Sequence, residues 1–303
     1  MGKVRGRSLT PIRRRALITV LSLAVPLAAL GVASPALATP KGAFAVFAQC
    51  PTSTPGVTIC TYAQSTSGEF TIGKTTVPIN KTITLQGGGI PDPGEENAFF
   101  LAPAKNGESL SKTELNVPGG LLNLINCKEI SNFLERISCE LIFENGLTGV
   151  TAVTELVANK SNPAIFNAIN ILNEEKTGLV LPVRVKLNNP LLGSGCFIGS
   201  ESHPVQLHLT SGTTSPPAPN KPIKGKAGEL SVEEEAILVL KNNSLVDNAF
   251  AAPAAEGCGG LFSFLIDPIL DSKIGLPAAA GHNTAILNGT LKTTSAEAVI
   301  KSE

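Results

Sequence analysis

The segment Leu179–Leu187 (LVLPVRVKL) decides the fold class, because apolar side chains recur in it at every second position. Arg184 and Lys186 fall between them, on the opposite side. The segment Val205–Leu209 (VQLHL) repeats this alternation. Successive side chains of a β-strand point to opposite faces, so a period of two predicts strands with one buried face.

Segments of similar composition, separated by Gly, Pro, Asn and Ser, extend this pattern over the rest of the chain. We therefore expect a mainly β protein with an antiparallel, β-sandwich-like architecture, stapled by disulfides. Turn-forming residues predict a loop at Gly87–Gly94 (GGGIPDPG). Predicted strands also include Gly42–Ala48, Ala236–Lys241, Leu245–Phe250 and Ala296–Lys301.

Two or three short helices are expected among these strands. Apolar residues three and four apart predict one helix near Asn126–Ser138. A second is predicted over Asn162–Glu175, with Pro163 in its first turn. The apolar segment Gly260–Leu270 predicts a short buried helix that is broken at Pro268.

The chain begins with the pattern of an export signal. Residues 1–38 contain six basic residues and no acidic residue, and all six basic residues precede the uncharged stretch Ala16–Leu30. Ala36 and Ala38 form the A-x-A pattern that signal peptidase accepts, so we predict cleavage after Ala38 and a secreted or cell-wall-associated product. The alternative is an uncleaved anchor, because Ala16–Ala38 is long enough to span a membrane.

Residues 39–303 are enough for one large β domain or two smaller ones. A weak boundary near residue 115 predicts an N-terminal β unit, residues 39–115, and a larger β-rich unit, residues 116–303. One continuous domain over residues 39–303 is the alternative.

The charge of residues 39–303 excludes some partners. Six of the 24 basic residues precede residue 39, which leaves 18 basic against 24 acidic residues and a net charge of −6. Arg136 and Arg184 are the arginines that remain. This balance is poor for binding phosphates. We expect no nucleic-acid partner and no membrane association after signal removal, with cell-envelope components as the candidate partners.

All the cysteines follow the predicted signal. An even number in an exported chain predicts three disulfides. No C-x2-C motif occurs, and His203, His208 and His282 lie at no ligand spacing with a cysteine, so we expect no metal. Sequence proximity favours the pairs Cys50–Cys60, Cys127–Cys139 and Cys196–Cys258.

The chain carries no catalytic motif, and we expect no enzyme, no cofactor and no catalytic residue. No G-x-S-x-G occurs, and Ser194, in Gly193-Ser194-Gly195, is predicted to lie in a turn before Cys196. Tryptophan is absent and Tyr62 is the single tyrosine, which disfavours a glycan-binding cleft. The chain has four aspartates: Asp92, Asp247, Asp267 and Asp271.

Three C-terminal segments, Leu181–Gly225, Leu245–Gly260 and Gly275–Lys292, resemble a group of actinobacterial exported proteins of unknown function. The resemblance covers roughly the C-terminal half of the chain and includes Cys196 and Cys258. It implies a secreted protein and supplies no activity, so no catalytic residue can be transferred.

These observations predict a secreted, non-catalytic cell-envelope or extracellular protein with a structural or binding role. Two alternatives remain open. The Phe-rich apolar segments suggest an apolar-ligand carrier. A secreted hydrolase could also assemble its active site from residues that are scattered in the sequence.

N-terminal sequencing tests the predicted cleavage site. Because signal peptidase recognises the small residues at Ala36 and Ala38, protein recovered from the culture medium should begin at Thr39. Recovery of the full-length chain in the membrane fraction alone would identify the segment as an uncleaved anchor.

Overall fold

A computed structural model describes residues 39–120, 131–139 and 148–303, and antiparallel strands dominate these ranges. This confirms the predicted fold class. The α-helices of these ranges are α1 (Phe133–Cys139), α2 (Ala168–Asn173), α3 (Ser263–Ile274) and α4 (Ala296–Lys301). The strands are β1 (Ile59–Ile72), β2 (Thr75–Pro78), β3 (Ile83–Pro91), β4 (Phe99–Ala102), β5 (Glu114–Val117), β6 (Val150–Leu156), β7 (Ile165–Phe166), β8 (Leu179–Asn188), β9 (Phe197–Ile198), β10 (Val205–Leu209), β11 (Glu229–Glu233), β12 (Ile237–Asp247), β13 (Ala255–Glu256) and β14 (Thr284–Ser295).

One sheet joins these 14 strands, and its main path runs β11-β12-β14-β1-β3-β4-β7-β8-β6-β5. Strand β8, which contains the alternating segment, has the most partners: it pairs with β6, β7, β9 and β10. Strands β1, β3 and β4 lie in the middle of the path, with strands from later in the chain on both sides and β5 at one end.

The sheet folds over on itself where β10 meets β12. The Thr210 N–H donates to the Val246 carbonyl at 3.0 Å, and the Val246 N–H donates to the Thr210 carbonyl at 2.8 Å. Lys226 and Ser244 exchange two further backbone bonds of 2.9 Å beside this junction. The folded sheet encloses the main apolar core, which gives the sandwich-like layering. Core side chains include Leu181, Leu209, Leu240, Ala285 and Leu291.

A second, smaller core lies around the Cys50–Cys60 disulfide, and it corrects two predicted strands. Gly42–Ala48 is a 3-10 helix over Gly42–Phe47, and Ala296–Lys301 is helix α4. Both helices bury side chains in this core: the 3-10 helix buries Phe47, and α4 buries Ala296 and Val299. Packing against the outside of the sheet therefore overrides the apolar patterns that suggested strands.

Local bonds also favour helix α4 over a strand. The Ser295 hydroxyl accepts the Ala298 N–H at 3.1 Å, which caps the first turn. Lys301 and Glu297, four residues apart, form an ion pair of 2.6 Å along one side of the helix.

The predicted loop Gly87–Gly94 is also corrected, because its first residues lie inside β3. A Cβ atom on Gly87 would lie 2.5 Å from the Ala102 carbonyl oxygen, and one on Gly88 would lie 2.7 Å from Val57 Cγ1. These glycines therefore allow the neighbouring chain segments to approach closely.

Two predicted strands, Ala236–Lys241 and Leu245–Phe250, belong to one strand, β12. The pairing of β12 with β14 shifts register between Leu240 and Asn243, so a bulge lies where the two predictions left a gap. Asn242 has a positive φ of 55° at this bulge.

The predicted helices change in extent. Residues Asn162–Glu175 become helical only at Ala168, because β7 first joins the sheet and Asn167 then caps α2 by accepting two backbone N–H bonds. Gly260–Leu270 forms a 3-10 helix and then α3, which continues through Pro268 and is largely exposed. The part of Asn126–Ser138 that is described belongs to α1.

Two of the three predicted disulfides, Cys50–Cys60 and Cys196–Cys258, are present in the structure. The Cα atoms of Cys50 and Cys60 lie 5.5 Å apart, and those of Cys196 and Cys258 lie 4.1 Å apart. The third predicted pair, Cys127–Cys139, depends on residue 127, which is outside the described residues. Disulfides persist in oxidising compartments, so both observed bonds fit an extracellular protein.

Substitution of Gly87 tests the close approach of β3 and β4. Gly87→Ala should lower the free energy of unfolding by about 1–3 kcal/mol, because its Cβ would collide with the backbone at Ala102. Gly94→Ala is the matched control, since the nearest atom to its Cβ belongs to the side chain of Asp92. Equal urea midpoints for the two variants would contradict this account of the strand.

Candidate functional site

The three histidines lie on separate segments, and each has an exposed side chain. His203 Nδ1 lies 3.0 Å from the Ser202 hydroxyl. His208 lies on β10, and His282 lies in the turn before β14. Among the described residues, no histidine forms an ion pair with a carboxylate. The described chain thus does not assemble a Ser-His-acid triad around these side chains.

Ser194 and Asp92 both lie in turns. Ser194 precedes Cys196 in a turn, where the sequence places it. Asp92 accepts the Gly94 N–H through Oδ1 at 2.8 Å, which stabilises the turn after β3.

Asp247 continues the junction at which the sheet folds over. Its Oδ2 accepts the His208 N–H at 2.7 Å, and its Oδ1 accepts the Ala249 N–H at 2.8 Å. The side chain is buried beside a polar cleft of about 230 Å³. Burial raises the pKa of Asp247, and the two backbone N–H bonds oppose this shift without reversing it.

The remaining two aspartates lie on the inner side of α3. Asp267 accepts the Cys258 N–H at 2.8 Å and the Gly257 N–H at 3.1 Å. Asp271, one turn later, accepts the Ala255 N–H at 2.8 Å. Both carboxylates therefore attach the helix to the chain that ends in the Cys196–Cys258 disulfide.

The outer side of α3 and the 3-10 helix before it is apolar and exposed to solvent. Leu261 has 93% of its surface exposed and Phe264 has 71%. This differs from the usual arrangement of a surface helix, because both aspartates point inward while several large apolar residues point outward. We call this set of side chains the α3 surface: Leu261, Phe262, Phe264, Leu265 and Ile269.

Helix α1 also exposes apolar side chains. Phe133, Leu134 and Ile137 belong to the apolar stripe that predicted this helix, and all three are exposed. The stripe therefore does not pack into the core at these positions.

Two small apolar cavities lie between described residues of the interior. One of about 80 Å³ lies between the inner face of the sheet and α3, where Leu270 and Ile274 line it. The other, of about 60 Å³, lies beneath β1 and β14. An apolar cavity of about 150 Å³ holds a ring the size of benzene, so both are small for a ligand.

An open groove of about 790 Å³ lies beside the ends of β4 and β6. Arg184 forms part of its wall, and its Nε donates to Glu155 Oε2 at 2.8 Å. The guanidinium also lies 4.3 Å from the centre of the Phe197 ring. The charge of Arg184 is thus paired and its side chain is held in place, which indicates a supporting role in this wall.

Neither a metal-binding cluster nor a membrane-spanning helix is found in the described ranges. The described residues contain no cluster of three or more His, Cys, Asp or Glu side chains that could hold a metal ion. No helix among them is both long enough and apolar enough to cross a membrane.

Comparison with known proteins returned no match: no protein-family model, curated protein or solved structure corresponds to this chain. The candidate site is therefore identified from the geometry of the described residues alone. The most unusual feature of that geometry is the α3 surface.

Sequence reasoning missed this surface because it treated Gly260–Leu270 as a buried helix. The spacing of Asp267 and Asp271 carried a signal, since residues four apart lie on the same side of a helix. That side also carries Leu270 and Ile274, so the apolar residues are distributed around the helix. Composition alone does not indicate which side packs inward.

Replacement of Asp247 tests the junction between β10 and β12. Asp247→Asn removes one of two acceptor oxygens and should lower the free energy of unfolding by about 1–3 kcal/mol at acid pH. Because its folded pKa is raised, the stabilising contribution of the wild-type carboxyl is fully present below the ordinary pKa. It is lost as pH rises through the raised value. The difference in free energy of unfolding between wild type and Asp247→Asn should therefore become smaller as the pH rises.

Urea unfolding over an acid-to-neutral pH series measures this difference. Asp92→Asn is the matched control, because the amide oxygen can still accept the single Gly94 N–H bond. A difference between wild type and Asp247→Asn that widens with rising pH would contradict the proposed role of the buried carboxyl.

Proposed function

We propose that this chain is an exported, non-catalytic binding protein of the cell envelope, and that it binds through the α3 surface. One observation carries the proposal: α3 directs its carboxylates inward, while the large apolar side chains of the α3 surface are exposed to solvent. Contiguous exposed apolar side chains are typical of interaction sites on soluble proteins.

The anchoring of this helix supports a binding role. Asp267 and Asp271 bond to backbone N–H groups of residues 255–258, and Cys258 is joined to Cys196. A surface held in this way loses little conformational entropy when a partner covers it. The exposed side chains would each gain about 1.5–3 kcal/mol on full burial, which is a substantial driving force.

The positions of the acids support a non-catalytic role. The carboxylates of Asp247, Asp267 and Asp271 each accept backbone N–H bonds that hold the fold together. The small volumes of the two apolar cavities favour binding at the surface over the alternative of a carrier that encloses its ligand.

The predicted signal, the two disulfides and the resemblance to actinobacterial exported proteins support the location. On this proposal the protein acts outside the cytoplasm and stays with the envelope, because the α3 surface finds its partner there.

Cell fractionation tests the proposal. Wild type should be retained with the envelope of an expressing actinobacterial host, whereas Leu261→Ser/Phe264→Ser should shift into the medium because it lacks two exposed contact residues. Leu230→Ser/Val232→Ser is the matched control, since it removes two exposed apolar side chains from the edge strand β11. The same distribution for all three proteins would exclude the α3 surface as the binding site.

A further inference from the structure

The side-chain chemistry of the α3 surface restricts the partner. The five side chains are Leu, Phe and Ile, which offer no hydrogen-bond donor or acceptor. Protein–protein hot spots are enriched in Trp, Tyr and Arg, and specific interfaces carry many hydrogen bonds. A purely hydrocarbon surface is instead suited to a hydrocarbon partner.

The charge around the α3 surface restricts the partner further. Along residues 257–274, which include all of α3, the charged side chains are Asp267 and Asp271, which bond inward to the backbone, and Lys273 in the last turn. Residues 39–303 carry a net charge of −6. Lys273 is the one basic residue of α3, and a single lysine attracts anionic headgroups only weakly, whereas the net charge of residues 39–303 opposes them. The complementary surface is therefore one without net charge.

The geometry suits docking parallel to a lipid layer. Helix α3 has 12 residues, which is too short to cross a bilayer. A helix that lies in the plane of the interface buries its apolar side at the boundary between headgroups and acyl chains. The disulfide and the aspartate bonds hold the opposite side of α3 to the folded sheet, so the whole domain would stay outside the layer.

We propose that the α3 surface docks on a lipid layer whose headgroups carry no net charge. This inference rests on the proposed function and names the envelope component that it requires. The expectation of no membrane partner came from charge, and the charge argument still applies to anionic lipid. Docking on uncharged lipid depends instead on the exposed apolar side chains of the α3 surface. The net charge of the protein gives no information about those side chains.

Vesicle co-sedimentation of the exported protein tests the proposal. Wild type should sediment with phosphatidylcholine vesicles equally well in low and high NaCl, because apolar contact is not screened. Leu261→Ser/Phe264→Ser should bind these vesicles with an affinity at least about tenfold lower, since it lacks two apolar side chains that docking would bury. Leu230→Ser/Val232→Ser should bind like wild type, and thermal unfolding should show that all three proteins are folded.

Other outcomes would overturn the lipid assignment. Equal binding by all three proteins, no binding by wild type, or binding only to vesicles that contain phosphatidylglycerol would each contradict it. Self-association of wild type that is lost in Leu261→Ser/Phe264→Ser, without vesicle binding, would assign the α3 surface to a second copy of the chain. Envelope retention that depends on α3 but no vesicle binding would retain the proposed function and reject lipid as the partner.

Discussion

Two backbone hydrogen bonds between Thr210 and Val246 join strands that are far apart along the path of the sheet. Asp247 extends this junction by accepting the His208 N–H, so a side chain replaces a backbone acceptor where regular pairing ends. Because the sheet closes here, its inner face is removed from water and the apolar sides of β8, β10, β12 and β14 share one core. A buried carboxylate is tolerated at this point because it supplies acceptors that the backbone requires.

The same use of aspartate explains how an apolar helix can remain on the surface. A helix normally stays attached to a domain by burying its apolar side. Helix α3 is attached instead by two carboxylates that bind the backbone of residues 255–258, together with Leu270 and Ile274 at the core. Its remaining large apolar side chains are therefore free to face outward. The Cys196–Cys258 disulfide fixes the adjoining chain, which keeps this unusual orientation in place.

Local pattern failed where packing on the outside of the sheet decided the structure. The segments Gly42–Ala48 and Ala296–Lys301 have strand-like composition, but each becomes a helix that covers the Cys50–Cys60 disulfide. Gly87 and Gly88 have turn-like composition, but they lie in a strand because a neighbour leaves no room for a side chain. In each case the deciding contact comes from residues that are distant in sequence or on another strand, which a local pattern cannot register.

The sequence by itself determined the fold class, because alternation follows from strand geometry, and it indicated the two observed disulfide pairs, because each joins two cysteines that are consecutive along the chain. It also determined that residues 39–303 are acidic, which argues against anionic partners. Only the tertiary structure decided which side of α3 faces water. That orientation depends on hydrogen bonds from Asp267 and Asp271 to backbone groups near a disulfide whose cysteines lie 62 residues apart, and no local property of the helix encodes them.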